Sequence, residues 1–319
     1  TDSTTVNLYK ALWAAREMNS TRSTLLVEAN CFPTDIYISD SVAKQFGALG
    51  VQTIDSGEDA LPDALGSDVA VCLLNAVDYR SGRLRDLEAD TARVRSSGAV
   101  VVWDLSHATG VVPLELDRWE VDFAVGCTYK YLNGGPGAPA FLYAARKHHE
   151  SMQQPLQGWW GHSRPFDFTS EFEAPPNIAR MLCGTQGILS MRSIGTSLDI
   201  FDEVRINDIR HKSVALTDLF MRLLDPVCDA FGMRISTPRD ADSRGSQVAL
   251  CHPEAYALVQ AMIEHGVVGD FRAPDTLHFG FAPLYLRYSD VWCAAELLRE
   301  VFEQSLWQVH QSQDRKAVT

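Results

Sequence analysis

The sequence predicts an α/β fold built on a mostly parallel sheet, with a large domain over residues 1–200 and a smaller α/β domain over 201–319. Three observations predict it. Apolar runs such as Val69–Leu74 and Ala99–Trp103 are continuous rather than alternating, as in strands buried on both faces. Helical stretches separate these runs, the rhythm of βαβ units. From about residue 186 the texture changes to two long helical stretches, 186–205 and 208–231, followed by a second strand set.

Taken in order, residues 5–18 place Val6, Leu8, Leu12, Trp13 and Met18 at helical spacing, with Ser3 or Thr4 as the cap. Leu25–Glu28 and Val51–Ile54 read as short strands flanking a helix over 36–49. Val69–Leu74 is the first fully buried strand. An amphipathic helix over 85–96 ends before Gly98, and Ala99–Trp103 returns to the sheet and stops at Asp104. Val121–Val125 and Pro139–Tyr143 complete the first set. The second set is Gln247–Cys251 and Leu277–Phe281, with helices over 253–265 and 290–307. The boundary falls near 190–210. Thr1–Thr5 reads as the entry to a helix, so a preceding segment is expected.

The 319 residues carry 28 Lys+Arg against 41 Asp+Glu, a net charge of −13. That balance argues against a nucleic-acid binder and against an anionic-membrane binder, both of which need basic surface. No apolar run is long enough to span a bilayer, and the polar start is no signal peptide. The seven cysteines are scattered, without a CxxC pair, so neither disulfides nor a metal site is expected, and a reducing cytoplasm fits.

Three polar signals stand at the carboxyl ends of expected strands, the edge at which open α/β sheets bind ligands. They are Asn75 after Val69–Leu74, Asp104–His107 after the next strand, and Thr128–Gly137, which contains Tyr129, Lys130 and a glycine-rich turn. Lys130 lies 26 residues past Asp104, with one crossover between them. Adjacent strands would bring acid and lysine to one edge. A lysine beside an acid there suits Schiff-base chemistry with pyridoxal phosphate: the lysine holds the aldehyde, and the carboxylate keeps the pyridine nitrogen protonated. An acid–lysine pair alone is weak, because most lysines are surface charges.

The segments WDLSHATG (103–110) and GCTYKYLNGGPGAPAF (126–141) closely resemble kynureninase, a fold-type I pyridoxal-phosphate enzyme of the aspartate aminotransferase superfamily. TDSTTVNLYKAL at the start, NCFPTDIY (30–37), DYRSG (78–82), LQGWWGHSRPF (156–166), LCGTQGI (182–188), HKSVALTDLF (211–220) and FGFAPLY (279–285) extend the resemblance, in order, over nearly the whole chain. It implies a large-domain sheet of the seven-stranded type. It also implies roles. Lys130 would carry the cofactor, Asp104 would pair with the pyridine nitrogen, and His107 would neighbour the cofactor. Thr4 and Thr5 would bind phosphate at a helix N-terminus. Phe32 would stack on the ring, with Thr34 or Asp35 beside it. Asn75 would lie near the ring oxygen or phosphate, and Tyr129 would reach the phosphate and relay protons. Trp159 and Thr185 would reach the cofactor of a neighbouring subunit, which implies a homodimer with shared sites. Taken singly, Phe32, Tyr129 and Trp159 could be packing aromatics, Thr4 and Thr5 plain caps, and His107 a structural histidine.

The implied activity is hydrolysis of the Cβ–Cγ bond of L-kynurenine, or of a ring-substituted relative, to an anthranilate and L-alanine. That reaction belongs to tryptophan catabolism and NAD biosynthesis, and its partner is a small molecule. Two departures stand out. The N-terminal segment of the family is absent. His278 stands where the family has an arginine that holds the substrate α-carboxylate, and a histidine is only partly charged near neutral pH. Either His278 or Arg287 would take that task, or the substrate differs. The alternative function is a pyridoxal-phosphate lyase or aminotransferase acting on another amino acid.

Overall fold

A computed structural model describes residues 1–47, 49–55 and 60–311. The chain divides into two compact units. The first comprises Thr1–Ala76, Arg85–Thr109 and Leu114–Glu203; the second comprises Val77–Leu84, Gly110–Pro113 and Val204–Thr319.

In the first unit the order is α1 (Thr4–Met18), β1 (Thr24–Glu28), α2 (Pro33–Phe46), β2 (Gly50–Ile54), α3 (Ala60–Ala64), β3 (Val69–Asn75), α4 (Leu87–Ser96), β4 (Val100–Asp104), β5 (Phe123–Gly126), β6 (Phe141–Ala144) and α5 (Ile188–Phe201). The sheet order is β2-β1-β3-β4-β5-β6, parallel except for β6, which runs antiparallel to β5. All seven residues of β3 are buried. The strand period of two sends Leu25, Val27, Val71, Leu73, Val102, Phe123 and Val125 into one core with Leu8, Ala11, Leu12 and Ala15 of α1. Trp103 faces the other way, and its indole N–H donates to Thr91 Oγ1 of α4 at 2.9 Å.

The sheet has six strands among the described residues, where the family resemblance implied seven. Next to β6, Thr1 N donates to Ala140 O at 2.8 Å and Ala140 N donates to Asp2 O at 2.9 Å. Two residues are too few to make that edge contact a strand. Other sequence expectations shift by a few residues: α2 lies at 33–46 rather than 36–49, because Pro33 is favoured in the first helical turn. Residue 48 of that expected helix lies outside the described residues.

The second unit contains α6 (Ile206–Phe231), β7 (Arg234–Ile235), β8 (Gln247–Cys251), α7 (Ala255–Glu264), β9 (Asp270–Arg272), β10 (Thr276–Gly280) and α8 (Tyr288–Glu303). Its antiparallel sheet has the order β7-β8-β10-β9. Ile209, Ser213, Leu216, Phe220, Leu224 and Val227 form one buried stripe along α6. Gly232 ends that helix in the left-handed region at φ 67°. The DYRSG turn is held in this unit, since Gln247 Nε2 donates to Asp78 O at 2.8 Å and Thr237 Oγ1 to Ser81 O at 2.6 Å. Gly82 has φ +76°, and a Cβ there would meet the Gln247 side chain at 2.8 Å, so glycine is required.

Candidate active site

Strand register assembles the site. Asn75 and Asp104 are the last residues of β3 and β4 and are paired across the ladder; Asp104 is in turn paired with Val125 of β5. Glu28 ends β1. Four parallel strands thus deliver Glu28, Asn75, Asp104 and the Cys127–Lys130 turn to one edge of the sheet.

Lys130 is half-buried, and its Nζ lies 2.9 Å from His107 Nε2. Asp104 is buried, and its Oδ1 accepts from Ser106 N at 2.7 Å. Asp35, in the first turn of α2, is almost fully buried, and Asn75 Nδ2 donates to its Oδ2 at 2.7 Å. Asn75 Oδ1 accepts from Phe32 N at 3.4 Å. Burial pushes the Asp35 carboxyl well above the usual carboxylate range, and the charge of Asp104 pushes it further; the Asn75 hydrogen bond opposes this, Glu28 adds to it and Lys130 opposes it. Burial likewise raises Asp104 against the hydrogen bonds from Ser106 and the charge of Lys130. The charge of Asp104 thus acts on buried Asp35, and Lys130 acts on both as a cation.

Phe32, at the N-cap of α2, is 40% exposed rather than packed in the core. Thr34 is half-buried beside Asp35. Of these two residues, Asp35 is the more buried and accepts the Asn75 bond. At the start of α1, Ser3 caps Val6 N, Thr4 is half-buried, Thr5 is exposed, and the first turn holds no acid. Tyr129 is half-exposed, with Lys130 Nζ 5.8 Å from its ring centre. Trp159 and Thr185 are exposed, and Trp159 packs edge-on against Phe166.

In the second unit, His278 of β10 is buried. Its Nδ1 lies 3.2 Å from Asp270 Oδ2, and Arg272 Nε lies 2.8 Å from the other oxygen of that carboxylate. His278 Nε2 is buried without a hydrogen-bond partner among the described residues. Arg287 is exposed and caps α8 through Asp290, its Nη2 2.8 Å from Oδ1.

Sequence reasoning missed a buried ionic cluster behind the edge. Glu28 Oε2 accepts from Asn75 N at 2.8 Å, and Oε1 accepts from Arg85 at 2.8 Å. Arg85 Nε also donates to Asp90 Oδ2 at 2.7 Å. The available signal was Glu28 itself, an acid closing an apolar strand and so placed at the carboxyl edge.

The residues fit pyridoxal phosphate. A protonated ring nitrogen would relieve the buried Asp104 charge, Lys130 offers an amine, and an acid-free helix N-terminus bearing hydroxyls suits a phosphate. Fold and site together define a fold-type I pyridoxal-phosphate enzyme. Among solved structures, the chain is similar to the apo cysteine desulfurase of Thermococcus onnurineus NA1, with TM-score 0.81 and 14% identity over 95% of this chain and 78% of that one. It is also similar to a variant of the lyase C-DES with glycine covalently linked to its pyridoxal-phosphate cofactor, with TM-score 0.76 and 16% identity over 93% and 79%. The family model of the kynureninase C-terminal domain matches residues 209–298. A kynureninase of Burkholderia pseudomallei (strain K96243) is 44% identical over all of this chain and 78% of its own length. The chain belongs to the kynureninase family.

Proposed function

We propose that this protein is a pyridoxal-phosphate-dependent hydrolase that cleaves the Cβ–Cγ bond of L-kynurenine, or a ring-substituted kynurenine, with water to give an anthranilate and L-alanine. The family membership supports the reaction. The observation that carries the site is Lys130 Nζ at 2.9 Å from His107, with Asp104 as a neighbouring buried charge.

When bound, the cofactor supplies an electron sink for the substrate carbanion. The chain does the rest. Lys130 would hold the cofactor through its aldehyde, and its Nζ would serve as the base for the substrate α-proton. His107, within hydrogen-bond reach, orients that amine. Asp104 holds a proton on the ring nitrogen, and Asn75 keeps Asp35 in place beside it. Phe32 would cover the ring, with Thr34 or Asp35 at its side. Thr4 and Thr5 hold the phosphate together with Tyr129, which also relays protons. We assign the substrate carboxylate to His278, whose Nε2 has no hydrogen-bond partner among the described residues; the guanidinium of Arg287 is engaged by Asp290.

We also infer a homodimer in which Trp159 and Thr185 serve the neighbouring subunit's cofactor. Phe166 and Phe168, which pack edge-on against each other, and Ile188 and Leu189 are apolar side chains 63–89% exposed, which supports such a contact. The unpaired cysteines support a cytoplasmic setting.

The test is Lys130→Ala assayed for anthranilate release. Turnover should fall below about a thousandth of wild type, ~4 kcal/mol of barrier. A variant that keeps more than that removes Lys130 from its role.

A further inference from the structure

We propose that Lys10, a buried lysine outside the reaction chemistry, is a positioning residue for the cofactor phosphate. It rests on the reading of Thr4 and Thr5 as phosphate ligands.

Lys10 lies two turns into α1 and is fully buried. A lysine with no exposed surface must have its ammonium paired. Its Nζ donates to Asp2 Oδ2 at 2.7 Å and to Met181 O at 2.7 Å. These partners belong to two different segments, each leading into a candidate cofactor contact. Asp2 immediately precedes the Ser3 cap and so sets the direction in which the first-turn N–H groups of Thr4 and Thr5 point. Met181 ends a short 3-10 turn and leads into Leu182–Gly187, which contains Thr185.

Asp2 needs such a hold. It sits in the left-handed region at φ 48°, uncommon for a residue with a Cβ. Its carbonyl accepts from Ala140 N at 2.9 Å, and its carboxylate also accepts from Thr1 Oγ1 at 3.0 Å. Its N–H donates to Gln186 Oε1 at 3.4 Å, the residue next to Thr185. Burial acts to raise the Asp2 carboxyl, but the hydrogen bond and charge of Lys10 outweigh it and hold the group ionised. One buried ammonium thus fixes the helix entry and the 181–186 segment against each other. A neutral side chain at position 10 would release both.

The readout is the preference for pyridoxal phosphate over pyridoxal, which lacks the phosphate. The full chain is loaded with either compound, and each dissociation constant is read from visible absorbance during stepwise dilution. Lys10→Met is expected to weaken pyridoxal phosphate by about tenfold or more while pyridoxal changes less than about twofold. Asp2→Asn, which removes the same ion pair from its partly exposed side, should give the same ratio change and serves if Lys10→Met does not fold. Thr5→Val is the control for the underlying reading. If Thr5→Val lowers the preference and the Lys10 and Asp2 variants weaken both compounds equally, or neither, the inference is overturned and the phosphate reading stands. If Thr5→Val leaves the preference intact, the phosphate reading falls, and the Lys10 inference falls with it.

Discussion

Replacing Arg85 by methionine should destabilise the protein by about 3–5 kcal/mol, the usual loss when one partner of a buried ion pair is removed. The structure supplies the reason. Arg85 is 5% exposed and lies at 2.8 Å from Glu28 and 2.7 Å from Asp90, which are 5% and 4% exposed. Methionine keeps the apolar stem but strands two carboxylates. Asp90 retains Arg93 at 2.8 Å, whereas Glu28 loses the guanidinium bound to its Oε1, so most of the loss falls on Glu28. Against a total stability of about 5–15 kcal/mol, that is a large share. Removing the stranded charge as well, in Glu28→Gln/Arg85→Met, should recover more than half of the loss, because the cost is an uncompensated charge rather than lost packing. Denaturant unfolding of the three proteins measures both values. A loss under about 1 kcal/mol in the single variant, or a double variant no more stable than the single, would refute the reasoning.

Asp104→Asn should retain the cofactor but lower kcat by about a hundredfold, since an amide cannot hold the ring proton; wild-type turnover would remove Asp104 from that role. His278→Arg should lower KM for kynurenine by about tenfold or more, because a charge-assisted arginine–carboxylate contact contributes ~1.5–3 kcal/mol; an unchanged or higher KM takes the substrate carboxylate away from position 278. In the cofactor-free protein the two buried acids make a contribution to the pH dependence that has a definite sign. Asp35 and Asp104 are raised above the unfolded value of 3.8, so the fold binds protons that the unfolded chain has released. Their contribution is full below that value and is lost as pH rises through the folded titration. Asp2 and Asp122 are lowered and act only below 3.8. Burial lowers His252 below 6.5, which makes stability rise with pH in that range and opposes the two acids. The Asp35 share is therefore read by difference in denaturant unfolding: Asp35→Asn should make the slope of stability against pH between about pH 4 and 8 less negative than in the wild type, and a more negative slope in the variant would contradict the assignment.

The sheet was legible because its strands are buried on both faces and read as continuous apolar runs: Val69–Leu74 and Ala99–Trp103 lie within a residue of β3 and β4. Strand ends then placed Asn75, Asp104 and Lys130 on one edge without any structural input. The short elements β7 and β9 escaped, since two or three residues carry no period. So did the fate of charged side chains. Lys10 reads as an ordinary helical lysine, yet it lies on the same face as Asn7, Ala11 and Ala14, all buried, and only the fold shows the partners that make this tolerable. Arg85 opens the helix expected over 85–96 and carries no sequence signal of burial; its burial depends on Glu28, 57 positions earlier, and on Asp90 in α4. Arg287 shows the converse, a plausible anion binder in sequence that is taken up locally by Asp290.

The central claim is that Lys130 carries the cofactor in a kynurenine-cleaving enzyme. Borohydride reduction of the loaded protein, followed by peptide mass mapping, tests it most directly, with a parallel sample first turned over with L-kynurenine. The account predicts the reduced cofactor on the peptide containing Lys130, and anthranilate and alanine in equal amounts from the parallel sample. Cofactor fixed on any other lysine, or a Lys130 adduct in a protein that releases no anthranilate from kynurenine or its 3-hydroxy derivative, would contradict it.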